Sequence, residues 1–272
     1  MDERTNPNSE GQNFLKWDFF ADPKVIADFV DPVFDCVVGL STMRMGRSIQ
    51  VLDLGTGTGI ILKELKKKVS QRYGGFHPVS YYGIDCQKDL IAQNKNDSQG
   101  IVWMTMDNKD TLFKSQIFDV VIARAVYHYE DNPADQEKLL REAHRVLKNH
   151  GYFFHYSPAL NTEIEADLIN RFYKVLPKSI RMTSAAEFYA MHRKVFGNAR
   201  FLPNPNSLNC HFTAEYMRDR YHFNLQQQMD ICEMIKQVPA AQRPNFGESN
   251  SDFWFTVPQK IIRCQKGKSF PT

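Results

Sequence analysis

Short apolar runs in this chain end in acids, and one of them runs straight into a glycine-rich turn. Residues 48–54 (SIQVLDL) contain Asp53 and lead directly into Gly55-Thr56-Gly57-Thr58-Gly59. A second run, residues 79–84 (VSYYGI), is closed by Asp85, and a third, residues 100–106 (GIVWMTM), by Asp107. Glycines at a strand-to-helix turn let a ligand reach the backbone with no Cβ in the way. Amides at the start of the following helix can receive an anionic group, and a carboxylate offers two acceptor oxygens to hydroxyl or amino donors. Each acid could instead cap the next helix. Three of them in register at the carboxyl ends of successive strands, around one glycine loop, favour a ligand site, because open α/β sheets bind ligands at that edge.

The elements that must position these residues follow from periodicity. After the loop, Ile61, Leu62, Leu65 and Val69 fall at helical spacing, and Lys63, Lys66, Lys67 and Lys68 are expected to form its solvated face. Residues 86–94 (CQKDLIAQN) continue as a helix. Residues 118–123 (FDVVIA) form a fourth strand ending at Arg124. Pro133 opens a helix with Leu139, Leu140, Ala143, Val146 and Leu147 on one face, and residues 151–156 (GYFFHY) form a fifth strand. Strands alternating with helices of this length indicate a parallel sheet covered on both faces.

Further on, Ile164, Leu168, Phe172 and Leu176 mark a helix ending before Pro177. Ser184 and Glu187 have capping-box spacing for another that closes at Gly197. NPNS near residue 205 reads as a loop and residues 213–221 as a helix; the pattern of residues 223–236 fits strand or helix, with strand favoured. DFWFTV and KIIRC, around Pro258, supply a last antiparallel strand, placed at an edge because proline is tolerated there.

Composition removes several function classes. The chain has 272 residues, enough for a large core, and its 34 basic against 31 acidic side chains leave a net charge of +3. That balance argues against nucleic-acid or anionic-membrane binding. Five cysteines without CxxC spacing read as reduced thiols of a cytoplasmic protein. No secretory leader is expected in the first thirty residues, and no apolar run approaches the ~20 residues of a membrane helix. No His, Cys and carboxylate cluster has metal-ligand spacing, so no metal is expected.

The glycines alternate as G-x-G-x-G, unlike the G-x-G-x-x-G of dinucleotide enzymes, and an acid stands two residues before the first. No Lys-Ser/Thr follows, which excludes a P-loop. The pattern Asp53-Leu-Gly55-Thr-Gly57-Thr-Gly59 resembles the first motif of the class I S-adenosylmethionine-dependent methyltransferases. FDVVIARAVYHYED and LLREAHRVLKNHGYFFHYSP resemble that family's fourth- and fifth-strand segments. The resemblance covers roughly residues 45–158 and reaches the C-terminal third weakly. It implies an α/β, Rossmann-like, doubly wound, seven-stranded mixed sheet whose last strand is antiparallel, with an added helical cap. Residues 1–45 would be an N-terminal cap segment, 46–158 the cofactor-binding core, 159–210 a helical lid and 211–272 the C-terminal part of the core sheet.

For the cofactor, S-adenosylmethionine (product S-adenosylhomocysteine), the resemblance implies the following assignment. Gly55, Thr56, Gly57 and Gly59 form the loop that receives the methionine part, and Asp53 orients the ammonium or the loop. Asp85 accepts the ribose hydroxyls, and Cys86 with Ile84 contacts the adenine ring. Asp107, beside Asn108, accepts from the adenine amino group, and the backbone from Ala123 to Ala125, including Arg124, borders the methionine. The chain lacks the Asn/Asp-Pro-Pro-aromatic turn of amino-nucleobase methylases. Six aromatic residues crowd into residues 14–34, which suggests a cap over a small, apolar or aromatic acceptor. Trp17, Phe20, Tyr127 and Tyr156 are candidate acceptor contacts, and His128 and His155 candidate bases. Two alternatives stay open: a reaction other than methyl transfer, such as cyclisation or rearrangement, and a non-catalytic partner subunit. The oligomeric state, monomer or homodimer, stays open as well.

Overall fold

The computed structural model describes residues 21–43, 47–74, 79–97, 100–176, 179–204, 210–249 and 252–267. Seven strands make one mixed sheet: β1 (Ile49–Leu54), β2 (Val79–Asp85), β3 (Val102–Thr105), β4 (Phe118–Arg124), β5 (Leu147–Pro158), β6 (Ala199–Leu202) and β10 (Gln259–Gln265). Their order is β3-β2-β1-β4-β5-β10-β6. β1 pairs in parallel with both β2 and β4, so the order reverses beside β1, and the glycine turn opens at that switch point. β10 is antiparallel to both neighbours, as expected of the last strand. It is not an edge strand, however. Pro258 sits at the corner just before β10, so its missing N–H costs no ladder bond and the strand can lie inside the sheet.

Helices cover both faces because each carries an apolar stripe. On one face, α1 (Pro23–Met43) and α2 (Ile60–Tyr73) bury Phe29, Val33 and Val37, and Ile61, Leu62, Leu65 and Val69, against Val51, Val120, Phe154 and Tyr156. On the other, α4 (Pro133–Val146) and α6 (Ala185–Phe196) bury Leu139, Leu140, Ala143, Phe188 and Phe196 against Leu52, Leu54, Val121 and Phe153. Each fully buried side chain of this kind contributes about 1.5–3 kcal/mol. α3 (Lys88–Asp97) crosses from β2 to β3.

The added layer contains more than helices. α5 (Glu163–Val175), α7 (Ala214–Tyr221) and α8 (Leu225–Lys236) share a core with a small sheet ordered β7-β9-β8: β7 (Cys210–Thr213), β8 (Phe246–Ser249) and β9 (Asp252–Val257). DFWFTV is therefore β9 of this sheet rather than part of the large one. Among the described residues of 211–272 only β10 joins the main sheet, and β6, inside the expected lid segment, forms its edge. Residues 225–236 are helix, not strand. Asn224 and Gln227 make a reciprocal capping box, and Gln228, Ile231, Cys232 and Ile235 are buried at helical spacing. Ile164 is 44% exposed, because α5 turns Leu168, Ile169 and Phe172 inward instead. Most of the NPNS loop lies outside the described residues.

Candidate functional site

The carboxyl edge of β1, β2 and β4 gathers the glycine loop and the first two strand-end acids through short hydrogen bonds. Thr56 N–H donates to the Ile84 carbonyl at 2.8 Å, tying the loop to the end of β2. Asp85, 7% exposed, accepts from Gly57 N–H through one oxygen and from Gln87 N–H through the other, both at 2.9 Å. Each oxygen keeps a lone pair for another donor. Asp53 is buried, and its Oδ2 accepts from Thr56 Oγ1 at 2.7 Å. Burial, with the Asp85 charge adding to it, pushes the Asp53 carboxyl up to about 7 against the Thr56 hydrogen bond and the Arg124 charge.

Two glycines in the loop are required for different reasons. At Gly55 (φ +67°) a Cβ would lie 2.1 Å from Val126 Cγ1, so the side chain two residues past the end of β4 fills that space. At Gly57 (φ +53°) a Cβ would meet nothing within 4 Å, so this glycine faces open space. The Gly57 carbonyl accepts from Asn94 Nδ2 at 2.7 Å. Lys63 Nζ bridges the Thr58 carbonyl (3.0 Å) and Asn94 Oδ1 (3.1 Å), so Lys63 supports the loop rather than forming a solvated face. α2 begins with no side-chain cap on its first amides. A helix start without a cap, beside open space over a glycine and an acid with lone pairs to spare, fits a ligand with a carboxylate at one end and a diol further along.

Around this centre, Asp107 and Cys86 are exposed at the rim, and Asp107 accepts from Lys109 N–H at 2.8 Å. Asn108 is half-buried, and its Oδ1 has no partner among the described residues. The Arg124 guanidinium lies 5.4 Å from the centre of the Tyr156 ring, and burial lowers its pKa. Ala125 takes φ +56° and donates its N–H to the Tyr156 carbonyl at 2.8 Å, locking the β4 turn to β5.

Tyr127 and His128 follow in a single 3-10 turn and are both buried. His155 is fully buried, and its ring meets Tyr127 edge-on at 5.3 Å. Its Nδ1 lies 2.9 Å from His192 Nε2, and His192 Nδ1 lies 2.6 Å from the Phe188 carbonyl. A carbonyl only accepts, so His192 Nδ1 carries the proton, His192 Nε2 accepts from His155 Nδ1–H, and His155 Nε2 is left with a bare lone pair. Burial holds all three rings neutral, driving His128 down to about 3, His192 to about 4 and His155 well below its usual value.

Residues 52–155 match the family model described as Methyltransferase domain. That stretch is similar to a methyltransferase domain. No curated protein matches the sequence. Among solved structures, the fold is similar to that of the YcgJ protein from Bacillus subtilis, at 16% identity over 86% of this chain and 99% of that one, with a TM-score of 0.65. A putative methyltransferase from Bacillus halodurans aligns at 17% identity over 81% of this chain and 94% of its own, TM-score 0.63. An arsenic(III) S-adenosylmethionine methyltransferase from Chlamydomonas reinhardtii aligns at 17% identity over 82% of this chain and 65% of its own, TM-score 0.53. The doubly wound sheet with its antiparallel last strand is thus the S-adenosylmethionine-dependent methyltransferase fold.

The sheet edge brings Asp53, Thr56, the glycines and Asp85 into one hydrogen-bonded group and leaves Asp107 and Cys86 at its rim. Trp17 and Phe20 lie outside the described residues. Sequence reasoning missed Asn94, Trp103, Val126 and His192. Trp103 lies under Gly59 and Gly83, where a Cβ would come within 2.5 Å and 2.3 Å of its ring. Gly83 inside a strand was the available signal, since a strand glycine marks close approach. Asn94 gave none, because a polar residue on an amphipathic helix looks like any solvated one. No helix among the described residues is long and apolar enough to cross a membrane, and no cluster of metal-ligating side chains occurs among them.

Proposed function

We propose that this protein transfers a methyl group from S-adenosylmethionine to an oxygen, nitrogen or carbon of a small apolar or aromatic molecule. The observation that carries the reading is Asp85, held by two backbone N–H groups at the tip of a glycine loop whose Gly57 faces open space. Bound at that edge, S-adenosylmethionine would supply an electrophilic methyl group on a sulfonium. The loop of Gly55, Thr56, Gly57 and Gly59 and the first amides of α2 would take its carboxylate, with Arg124 alongside. Asp53 would face its ammonium, Asp85 the ribose hydroxyls, and Asp107, Asn108 and Cys86 the adenine.

Methyl transfer from sulfur to an acceptor is an in-line displacement, so alignment and exclusion of water supply much of the rate. Tyr127 and Tyr156 would orient the acceptor beside the β4 and β5 ends, with Trp17 and Phe20 closing over it. Where the acceptor must lose a proton, His155 Nε2 is the base we favour, because His192 fixes its tautomer and burial keeps it neutral. His128 is the second candidate. The balanced charge supports a small-molecule acceptor rather than nucleic acid, and five cysteines without CxxC spacing support a cytoplasmic location.

Parallel calorimetric titrations with S-adenosylmethionine, S-adenosylhomocysteine and NAD test the cofactor. Micromolar binding of the first two alone is expected, and binding of NAD alone would refute the reading. Release of S-adenosylhomocysteine with an acceptor distinguishes methyl transfer from a cyclisation or a non-catalytic role. Asp85→Ala should abolish cofactor binding. Because Asp85 also holds Gly57 and Gln87, that variant loses two hydrogen bonds to a charged group, of about 1.5–3 kcal/mol each, and is expected to be less stable as well.

A further inference from the structure

A cavity of about 350 Å³ lies on the α1 face of the sheet, away from the glycine loop. Its floor comes from β5, β10 and β6, where Phe154, Arg263 and Arg200 stand side by side across the three strands. Tyr152 and Leu202 complete the floor, and the turns of α1 that carry Asp35, Cys36, Gly39 and Met43 form the roof. Tyr152 pairs with Val120 and Tyr156 with Arg124. The cavity thus reaches about four residues, or about 13 Å, back from the carboxyl edge.

Three features of this cavity point to a ligand. First, Arg263 and Arg200 are directly opposed on neighbouring antiparallel strands, an arrangement that like charges disfavour. Among the described residues neither guanidinium has a carboxylate within 4.0 Å, and Arg263 instead lies 5.4 Å from the centre of the Tyr152 ring. Asp35 at the rim pairs with neither, so the cavity holds two cations against one acid. The Cys36 thiol adds no charge, since burial pushes it up to about 12 despite nearby Arg263. Secondly, the surface between the guanidiniums and α1 is apolar and aromatic, with Phe154, Leu202 and the 81%-exposed Met43. Thirdly, Gly39 stands inside a helix, where glycine is a poor former, and a Cβ there would meet nothing within 4 Å. The roof is left open where any other residue would partly fill it.

We propose that this cavity is a binding site for a small carboxylate with a flat apolar body, separate from the cofactor site. Two guanidiniums can grip one carboxylate through parallel N–H bonds, and the volume, at the small end of ligand pockets, suits about two fused rings. The site does not depend on the methyl-transfer reading. It lies under the C-terminal half of the helix whose Phe29 packs edge-on against Tyr156 at 5.8 Å, beside Arg124, so an occupant and the cofactor edge share one rigid element.

The test is calorimetry on the full chain with 1-naphthoate, using 1-naphthylmethanol and inorganic phosphate as the uncharged and bodyless controls. We expect 1-naphthoate to bind at sub-millimolar concentration and each control at least tenfold more weakly. Arg263→Gln and Arg200→Gln should each weaken 1-naphthoate at least tenfold. Gly39→Leu should remove binding while raising the melting temperature of the free chain, which separates a filled cavity from a misfolded one. Absence of 1-naphthoate binding, equal affinity in Gly39→Leu or Arg263→Gln, or competition by S-adenosylhomocysteine would overturn the proposal. Phosphate binding as tightly as 1-naphthoate would also overturn it. So would dimerisation in sedimentation that Gly39→Leu abolishes, since the occupant would then be a second copy of the chain.

Discussion

Gly55 and Gly57, two residues apart in the same loop, should fail in different ways when each becomes alanine. Both take a positive φ, which costs a residue with a Cβ about 1–2 kcal/mol. At Gly57 that is the whole cost to the fold, because the new methyl meets nothing within 4 Å. The methyl stands instead in the space the cofactor would fill. Forcing a methyl into a packed interface costs about 1–3 kcal/mol, which is about a 5- to 150-fold loss of affinity. At Gly55 the methyl would lie 2.1 Å from Val126 Cγ1. The fold then bears the clash as well, for a total of about 2–5 kcal/mol. Urea denaturation reads the first quantity and titration with S-adenosylhomocysteine the second. Gly57→Ala is expected to lose only about 1–2 kcal/mol of stability and bind weakly, and Gly55→Ala to lose about 2–5 kcal/mol and unfold earlier. Wild-type affinity in Gly57→Ala would refute the placement of the ligand over this glycine. Wild-type stability in Gly55→Ala would refute the Val126 contact.

The ionisable groups supply three more predictions. Asp53 titrates near 7 in the free protein, and a cofactor ammonium would draw its proton off. Binding should therefore release up to one proton below pH 7, with affinity falling up to about tenfold for each pH unit of acidification; equal calorimetric heats in phosphate and bis-Tris buffers at pH 6 would contradict this. His128, His155 and His192 have depressed folded pKa values, so their contribution to stability is complete above pH 6.5 and lost as pH falls. Each removes up to about 1.4 kcal/mol per pH unit, and Asp53, with its raised value, returns about the same. From these four groups together the loss between pH 6 and 4.5 should be up to about 3 kcal/mol per unit, and a flat denaturation profile there would count against the neutral triad of rings. Tyr127→Phe removes a buried hydroxyl with no partner among the described residues. It should stabilise the fold by about 1 kcal/mol and lower the rate if the hydroxyl orients the acceptor; a destabilised variant would mean that the hydroxyl is bonded.

Alternation of apolar runs and amphipathic helices made β1, β2, β4 and their crossovers legible, because each strand is buried on both faces and each helix on one. The acids at the strand ends were legible because topology alone brings strand ends together. The C-terminal third was less so. The capping box at Asn224 and Gln227 marks α8, yet the polar content of LQQQMDICEMIK blurs its stripe, since Gln228 is itself buried. Pro258 pointed to an edge because the proline rule concerns the ladder, whereas the proline here precedes the ladder by one residue. His192 could not be joined to His155 from sequence. The pair depends on how α6 packs against β5, and nothing local encodes that.

Three polar groups buried near the ends of β4 and β5 have a physical cost that the fold itself does not explain. Tyr127 Oη, His128 Nδ1 and His155 Nε2 are all buried without a partner among the described residues. Each such group costs about 1–3 kcal/mol relative to a bonded one. Phenylalanine or leucine at these positions would fill similar volume at no such cost. A site that serves only packing has no use for them. All three stand at the ends of β4 and β5, the same sheet edge as the glycine loop, and two meet ring to ring. An acceptor molecule with a hydroxyl or amine would satisfy them from its own side. The same strain that weakens the empty fold would then be released on binding, so acceptor affinity and the stability of the edge should rise together.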